Sequence, residues 1–305
     1  MNDVGERRGA SELRFLDPAI LSRLSTLELK ARTVVEGFLS GLHRSPFKGF
    51  SVEFAEYRQY LPGDPLQTID WKVYARSDRL YVKKFEEETN VECHLLLDVS
   101  GSMTYGSHAV TKLRYGSMLA ASLAYLMNRQ RDAVGLTTFD ERIVSMTPPS
   151  ARPSHLRSIL VALDSIEGGS TTNVTRPLQQ LAEGIGKRGI VVLISDLLDE
   201  PERIIDGLRH FRFRGSDVIV FHLLDPAELT FPFERATRFR DMELGDEVMA
   251  VPSVVRERYL ESLNTAIERY RRELGSCGID YSLVDTSTPL DFALMSYLST
   301  RGRAR

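Results

Sequence analysis

Beyond residue 90 the chain alternates short apolar runs with helical stripes, and this rhythm limits the possible folds more than any other feature of the sequence. Extended runs at residues 92–99, 133–139, 190–195, 218–224 and 279–284 are separated by helical patterns at 111–129, 154–166, 174–185, 202–213, 254–274 and 290–298. The run at 190–195 is apolar at almost every position, which requires helices on both faces of that strand. Strands alternating with helices of this length are joined by crossovers, so the order predicts an α/β fold built on a doubly wound, mostly parallel sheet. Residues 142–146 read as a hairpin partner of the strand before them, and 231–251 as an inserted loop or hairpin.

Upstream the pattern differs. Leu21, Leu24, Leu27, Val34, Val35 and Phe38 recur at helical spacing, which predicts an N-terminal helix that packs on the body. Phe50, Val52 and Phe54 then alternate with Ser51, Glu53 and Ala55. Pro62-Gly63-Asp64-Pro65 supplies turn chemistry before a second extended run at 80–85, which suggests a small antiparallel β unit. The expected organisation is a helical segment at 1–45, a β module at 46–90 and the α/β domain at 91–305.

Composition narrows the classes of function. A chain of 305 residues with 42% hydrophobic content can bury one large core and a smaller module. The net charge of -3 argues against a general nucleic-acid binder; Lys83-Lys84 and the arginines of 301–305 read as solvated surface. No stretch reaches the roughly 18 apolar residues of a membrane span, so a cytoplasmic location is expected. Cys93 and Cys277 have no C-x-x-C spacing and fit reduced thiols.

Within the predicted sheet, one short motif carries chemistry. Asp98-Val99-Ser100-Gly101-Ser102 follows Leu95-Leu96-Leu97, so a carboxylate and two hydroxyls leave the end of a buried strand together. Carboxylate and hydroxyl oxygens suit a hard ion such as Mg²⁺. In a doubly wound sheet ligands bind beyond the carboxyl ends of the strands where the strand order reverses, which sets the first and fourth strands side by side. The fourth strand ends at Ser195-Asp196, so Asp98 and Asp196 are expected to face one crevice. Gly168-Gly169-Ser170-Thr171-Thr172-Asn173 precedes a helix and can bring a hydroxyl and free backbone N–H groups to the same point.

This constellation resembles the metal-ion-dependent adhesion site of von Willebrand factor A-type domains, in which D-x-S-x-S combines with a distal Thr and a distal Asp. The resemblance implies Asp98, Ser100, Ser102, Thr172 and Asp196 as metal-site residues, with Thr171 the alternative to Thr172. Upstream, Glu53-Phe54-Ala55-Glu56-Tyr57-Arg58-Gln59-Tyr60, Pro62-Gly63-Asp64, Ile69-Asp70-Trp71-Lys72 and Ala75-Arg76 resemble the signature of the bacterial domain of unknown function 58. That resemblance implies a Mg²⁺-dependent, non-enzymatic interaction adaptor, with Mn²⁺ or Ca²⁺ as other possible ions. Ser100, Ser102 and Thr172 would ligate the ion while Asp98 and Asp196 act directly or through water, leaving a position for an acidic residue from a protein partner. It also implies a MoxR-type AAA+ ATPase as an associated protein.

The alternative reading is a metal-dependent hydrolase, a phosphoesterase or peptidase, using the same strand-end site. A nucleophile elbow needs G-x-S-x-G, whereas Asp98 stands two before Ser100, and His108 reads as a loop histidine without an orienting partner. Gly184-Ile185-Gly186-Lys187-Arg188-Gly189 matches G-x-G-x-x-G literally, but it follows a helix and precedes a strand, the reverse of a dinucleotide site. Trp71, Arg58, Tyr60 and Arg76 read as core and rim of the β module rather than as a partner surface.

Overall fold

The computed structural model describes Pro18 and residues 26–44, 57–59, 81–83, 91–168, 174–185, 189–240 and 247–301. The chain divides into two compact units, Met1–Gly41 with Val91–Arg305, and Leu42–Asn90. In the smaller unit, β1 (Tyr57–Gln59) pairs antiparallel with β2 (Tyr81–Lys83), with Arg58 opposite Val82. The alternating run at 50–55, Tyr60, Trp71 and Arg76 lie outside the described residues.

In helix α1 (Leu27–Arg44) Leu27, Val34, Val35 and Phe38 of the predicted stripe are buried, with Ala31 beside them, while Leu21 and Leu24 lie outside the described residues. The large unit then follows the order expected from its sequence. Strand β3 (Glu92–Asp98) leads through a 3₁₀ turn at Gly101–Thr104 to α2 (Lys112–Arg129), then β4 (Ala133–Phe139), β5 (Ile143–Ser150), α3 (Pro153–Asp164) and α4 (Thr175–Gly184). Next come β6 (Gly189–Ser195), α5 (Pro201–Phe213), β7 (Asp217–Leu224) and a five-residue helix α6 (Pro226–Thr230). The hairpin expected within 231–251 is β8 (Thr237–Arg240) and β9 (Glu247–Ala250), followed by α7 (Pro252–Ser276), β10 (Asp280–Asp285) and α8 (Leu290–Arg301).

The six-stranded sheet has the order β10-β7-β6-β3-β4-β5, parallel throughout except for the edge pair β4–β5. It is therefore the doubly wound, mostly parallel sheet that the alternation predicts. Strand β5 carries Pro148 and Pro149, which an edge strand tolerates because it has no outer partner to donate to. Chain order runs outward in both directions from β3 and β6, so the reversal falls between these two neighbours, with Leu97 opposite Ile194.

The central strands β3, β6 and β7 are dry on both faces because they are apolar on both sides. On one face Leu96, Val191, Leu193, Val218 and Val220 join a core with Leu178 and Leu181 of α4, Ile204, Leu208 and Phe211 of α5, and Tyr270 and Leu274 of α7. The other face is covered by α2, where Gly116 lets the helix approach closely: a Cβ there would stand 3.0 Å from Leu97 Cδ1 and 3.3 Å from Ile194 Cγ2. Burying these side chains stabilises the sheet by roughly 1.5–3 kcal/mol each. It also fixes where β3 and β6 end, and hence where Asp98 and Asp196 stand.

Candidate functional site

Asp98 closes β3 and is fully buried, as is Asp196 just beyond β6. Each oxygen of the Asp98 carboxylate accepts one hydrogen bond, Oδ1 from the Ser100 amide at 2.9 Å and Oδ2 from the Ser195 hydroxyl at 2.6 Å. Ser195 Oγ in turn accepts from the Leu197 amide at 2.9 Å. Ser100 and Ser102, both buried, bring their hydroxyl oxygens within 3.1 Å of each other. One wall of the crevice is thus lined by hydroxyls and a carboxylate. Burial, together with the negative charge of Asp196, pushes the Asp98 carboxyl up to about 7, although Ser195 and Ser100 hydrogen-bond to its charged form.

The opposite wall is ionic. Lys112, in the first turn of α2, has a fully buried side chain whose Nζ lies 2.8 Å from Asp196 Oδ2 and 2.6 Å from Glu228 Oε1. Burial alone lowers a lysine's proton affinity, but the two carboxylates outweigh it and hold Lys112 above its ordinary value, so it stays an ammonium. Glu228 itself is fixed from behind. Its Oε2 accepts the Asp225 amide at 2.7 Å while the Asp225 carboxylate accepts the Ala227 amide at 2.8 Å, closing a capping box on α6. Asp225 also accepts the Ser107 amide at 2.8 Å and the Ser107 hydroxyl, tying the β3–α2 loop to the end of β7.

The backbone that presents Asp196 is held at two points. His222 of β7 donates from Nε2 to the Asp196 carbonyl at 2.9 Å, and its Nδ1 lies 2.7 Å from the Tyr281 hydroxyl, which can donate to the neutral ring. Burial lowers His222 to about 4, which favours the neutral ring. One residue further on, Leu197 has a left-handed backbone (φ 51°), a conformation uncommon for a side chain of this size that turns the chain sharply after Asp196.

The structure brings Asp98, Ser100, Ser102 and Asp196 to the mouth of the two central strands. Thr171 and Thr172 lie outside the described residues. Gly168, the first residue of their loop, packs against the serine loop, and a Cβ there would overlap Thr104 Cγ2. Lys112, Glu228, Asp225 and Ser195 were not singled out from the sequence. Two signals pointed to them: Asp225-Pro226-Ala227-Glu228 is a capping-box pattern directly after a strand, and Lys112 places a cation at the end of a helix that disfavours one. His108 does sit exposed in a loop, and only the expectation that it has no partner is corrected. Its Nδ1 lies 3.5 Å from Asp225 Oδ2 and its Nε2 3.2 Å from the Thr286 carbonyl, groups at the ends of two distant strands.

Ser195 donates to a carboxylate that burial has made a weak acid. Among the described residues no cluster of three or more His, Cys, Asp and Glu side chains is placed to hold a metal, so the crevice is a site of few carboxylates and several hydroxyls. Nor is any described helix long and apolar enough to cross a membrane.

A doubly wound α/β domain with an acid and hydroxyl cluster where its strand order reverses is what fold and crevice define. The chain belongs to the family described as protein of unknown function DUF58, which matches residues 56–269. Among curated proteins it is similar to the uncharacterized protein Rv1480 of Mycobacterium tuberculosis, 26% identical over 232 residues that cover 75% of this chain and 73% of that protein. Among solved structures it is similar to the conserved hypothetical protein BatB from Bacteroides thetaiotaomicron, at 18% identity and TM-score 0.47, over 70% of this chain and 97% of that one. An aerotolerance-related membrane protein from Bacteroides fragilis, with multiple mutations to serines, matches at 20% identity and TM-score 0.48, over 68% of this chain and 98% of that one.

Proposed function

We propose that the crevice between β3 and β6 holds a divalent cation, Mg²⁺ in the first instance, and that the ion joins this protein to an acidic group of a partner protein. The observation that carries the reading is Asp98: a fully buried carboxylate beside a second one, with two hydroxyls converging next to it and, among the described residues, no cation paired with it. Buried charges are ordinarily paired or bound to metal. The donors fit a small hard ion, for which hydroxyl and carboxylate oxygens are suitable ligands and which commonly keeps some waters. Asp98, Ser100 and Ser102 would hold it, with Asp196, and with Thr172 or Thr171, acting directly or through water. Mn²⁺ and Ca²⁺ are chemically acceptable to the same donors.

The ion supplies a Lewis-acidic position that a partner carboxylate can occupy. The chain's own groups then orient the serine loop through the Ser100 amide and hold the carbonyl of Asp196 through His222. The resemblance to domain of unknown function 58 makes a MoxR-type AAA+ ATPase the first partner to try, and the function is that of an adaptor rather than an enzyme. Calorimetry with MgCl₂ tests the site: wild type should bind the ion and Asp98→Ala should lose at least about tenfold in affinity. Equal binding by both, or none by wild type, refutes the metal site. Capture of the ATPase that fails in EDTA and returns with Mg²⁺ supports the adaptor role. Metal-dependent hydrolysis of a phosphoester or peptide, abolished by Asp98→Ala, would replace it with the hydrolase reading.

A further inference from the structure

We propose that Lys112 is a resident cation of this crevice, set between Asp196 and Glu228 so that the protein itself supplies part of the positive charge a divalent ion would bring and limits how tightly that ion is held. The inference rests on reading the crevice as a divalent-ion site and names the residue that tunes it.

Three observations support it. First, the ammonium is wholly out of water, whereas lysine heads ordinarily stay solvated while their stems are buried. Its partners are two carboxylates, one of them the candidate ligand Asp196. Second, the helix does not favour a cation there: Lys112 follows the N-cap Thr111 directly, where the helix dipole opposes positive charge. Third, the position of the ammonium is set independently of Asp196, because Glu228 is locked by the Asp225 amide and α6 is locked by its capping box. Lys112 is therefore held from the far side, with one carboxylate oxygen of Asp196 committed to it and only a long 3.5 Å contact from the Leu198 amide on the other.

Asp98, Asp196 and Glu228 set three carboxylates against one ammonium, so a dication can neutralise the ionised crevice. Without Lys112 the same donors would carry one more unbalanced charge and attract a cation more strongly, in a setting too dry for full screening. A weakly held ion suits a site completed by a partner's carboxylate, since binding of ion and partner then depend on one another.

The test compares wild type, Lys112→Met and Glu228→Gln as full chains, by calorimetry with MgCl₂ and MnCl₂ and by thermal unfolding with EDTA or with Mg²⁺. Lys112→Met should bind the ion at least about tenfold more tightly than wild type. Its melting temperature should fall in EDTA and recover with Mg²⁺ by more than wild type gains. In Glu228→Gln the ammonium is left to Asp196 alone and ion binding should weaken. If Lys112→Met binds no more tightly and responds to Mg²⁺ as wild type does, Lys112 is a structural latch only; the metal site itself still stands when wild type binds and Asp98→Ala does not. Absence of binding in both wild type and Lys112→Met overturns both readings. Should Lys112→Met fail to fold even with Mg²⁺, unchanged or tighter binding by Glu228→Gln overturns the proposal.

Discussion

The two walls of the crevice are built from the same kind of group and solve the burial of charge in opposite ways. On the β3 side, among the described residues, Asp98 is met by neutral donors, the Ser100 amide and the Ser195 hydroxyl, and its proton affinity rises. On the β6–β7 side Asp196 has an ammonium 2.8 Å away that is held in place by Glu228 and, through it, by α6. Hydrogen bonds orient a carboxylate but do not neutralise it, whereas an ion pair does both. The β3 wall is thus left with a charge to be balanced from outside, and the β6–β7 wall is finished when the chain folds.

This contrast can be broken most severely at the ionic wall. Lys112→Met in EDTA leaves Asp196 and Glu228 buried without a counter-charge and should cost about 3–5 kcal/mol in denaturant unfolding, the usual result of removing one partner from a buried pair. A loss under about 1 kcal/mol would mean that the wall relaxes into water.

Next in size is His222, which supports that wall from below. Its ring is held below its unfolded value of about 6.5, so between about pH 6.5 and pH 4 the unfolded chain binds the extra proton. Stability should fall through that window as pH is lowered, by at most roughly 3 kcal/mol. Asp98 acts in the opposite sense over an overlapping range, so the informative quantity is the difference between wild type and His222→Gln at pH 7 and pH 4.5. Parallel pH profiles of the two proteins would remove His222 as the cause.

The β3 wall gives a smaller effect of unusual sign. An acid raised in the folded state costs stability as pH rises from about 4 through about 7, so Asp98→Asn in EDTA should be more stable than wild type above pH 7, by about 1–2 kcal/mol. The same variant should gain no melting temperature from Mg²⁺. Destabilisation at pH 8 would show that Asp98 is a structural turn residue. Last, Gly168→Ala should force Thr104 aside and break its hydroxyl bond to the Gly101 carbonyl, costing about 1–2 kcal/mol by thermal unfolding.

Most of the large unit was legible in the sequence because its signals are local. The apolar run at 190–195 marks a strand covered on both faces, and the spacing of Leu178 and Leu181 marks a helix facing it. The order of such elements then restricts the sheet to few topologies, and in the doubly wound order Asp98 and Asp196 share a crevice. α6 was missed because five residues give no periodicity to read. The partners of His108 were not legible because Asp225 and the Thr286 carbonyl reach it from strands far along the chain.

The sequence by itself therefore determined the doubly wound architecture, the place of the crevice and four of the oxygen-bearing residues in it, since all of these follow from periodicity and from strand ends. Only the tertiary structure decided which carboxylate is compensated. Lys112, Asp196 and Glu228 stand far apart in the chain, and at the level of sequence Lys112 is an ordinary helix residue and Glu228 an ordinary capping acid. They become one charged unit because α2 and α6 begin where β6 ends, and because a buried ammonium and a buried carboxylate are stable only when they find each other.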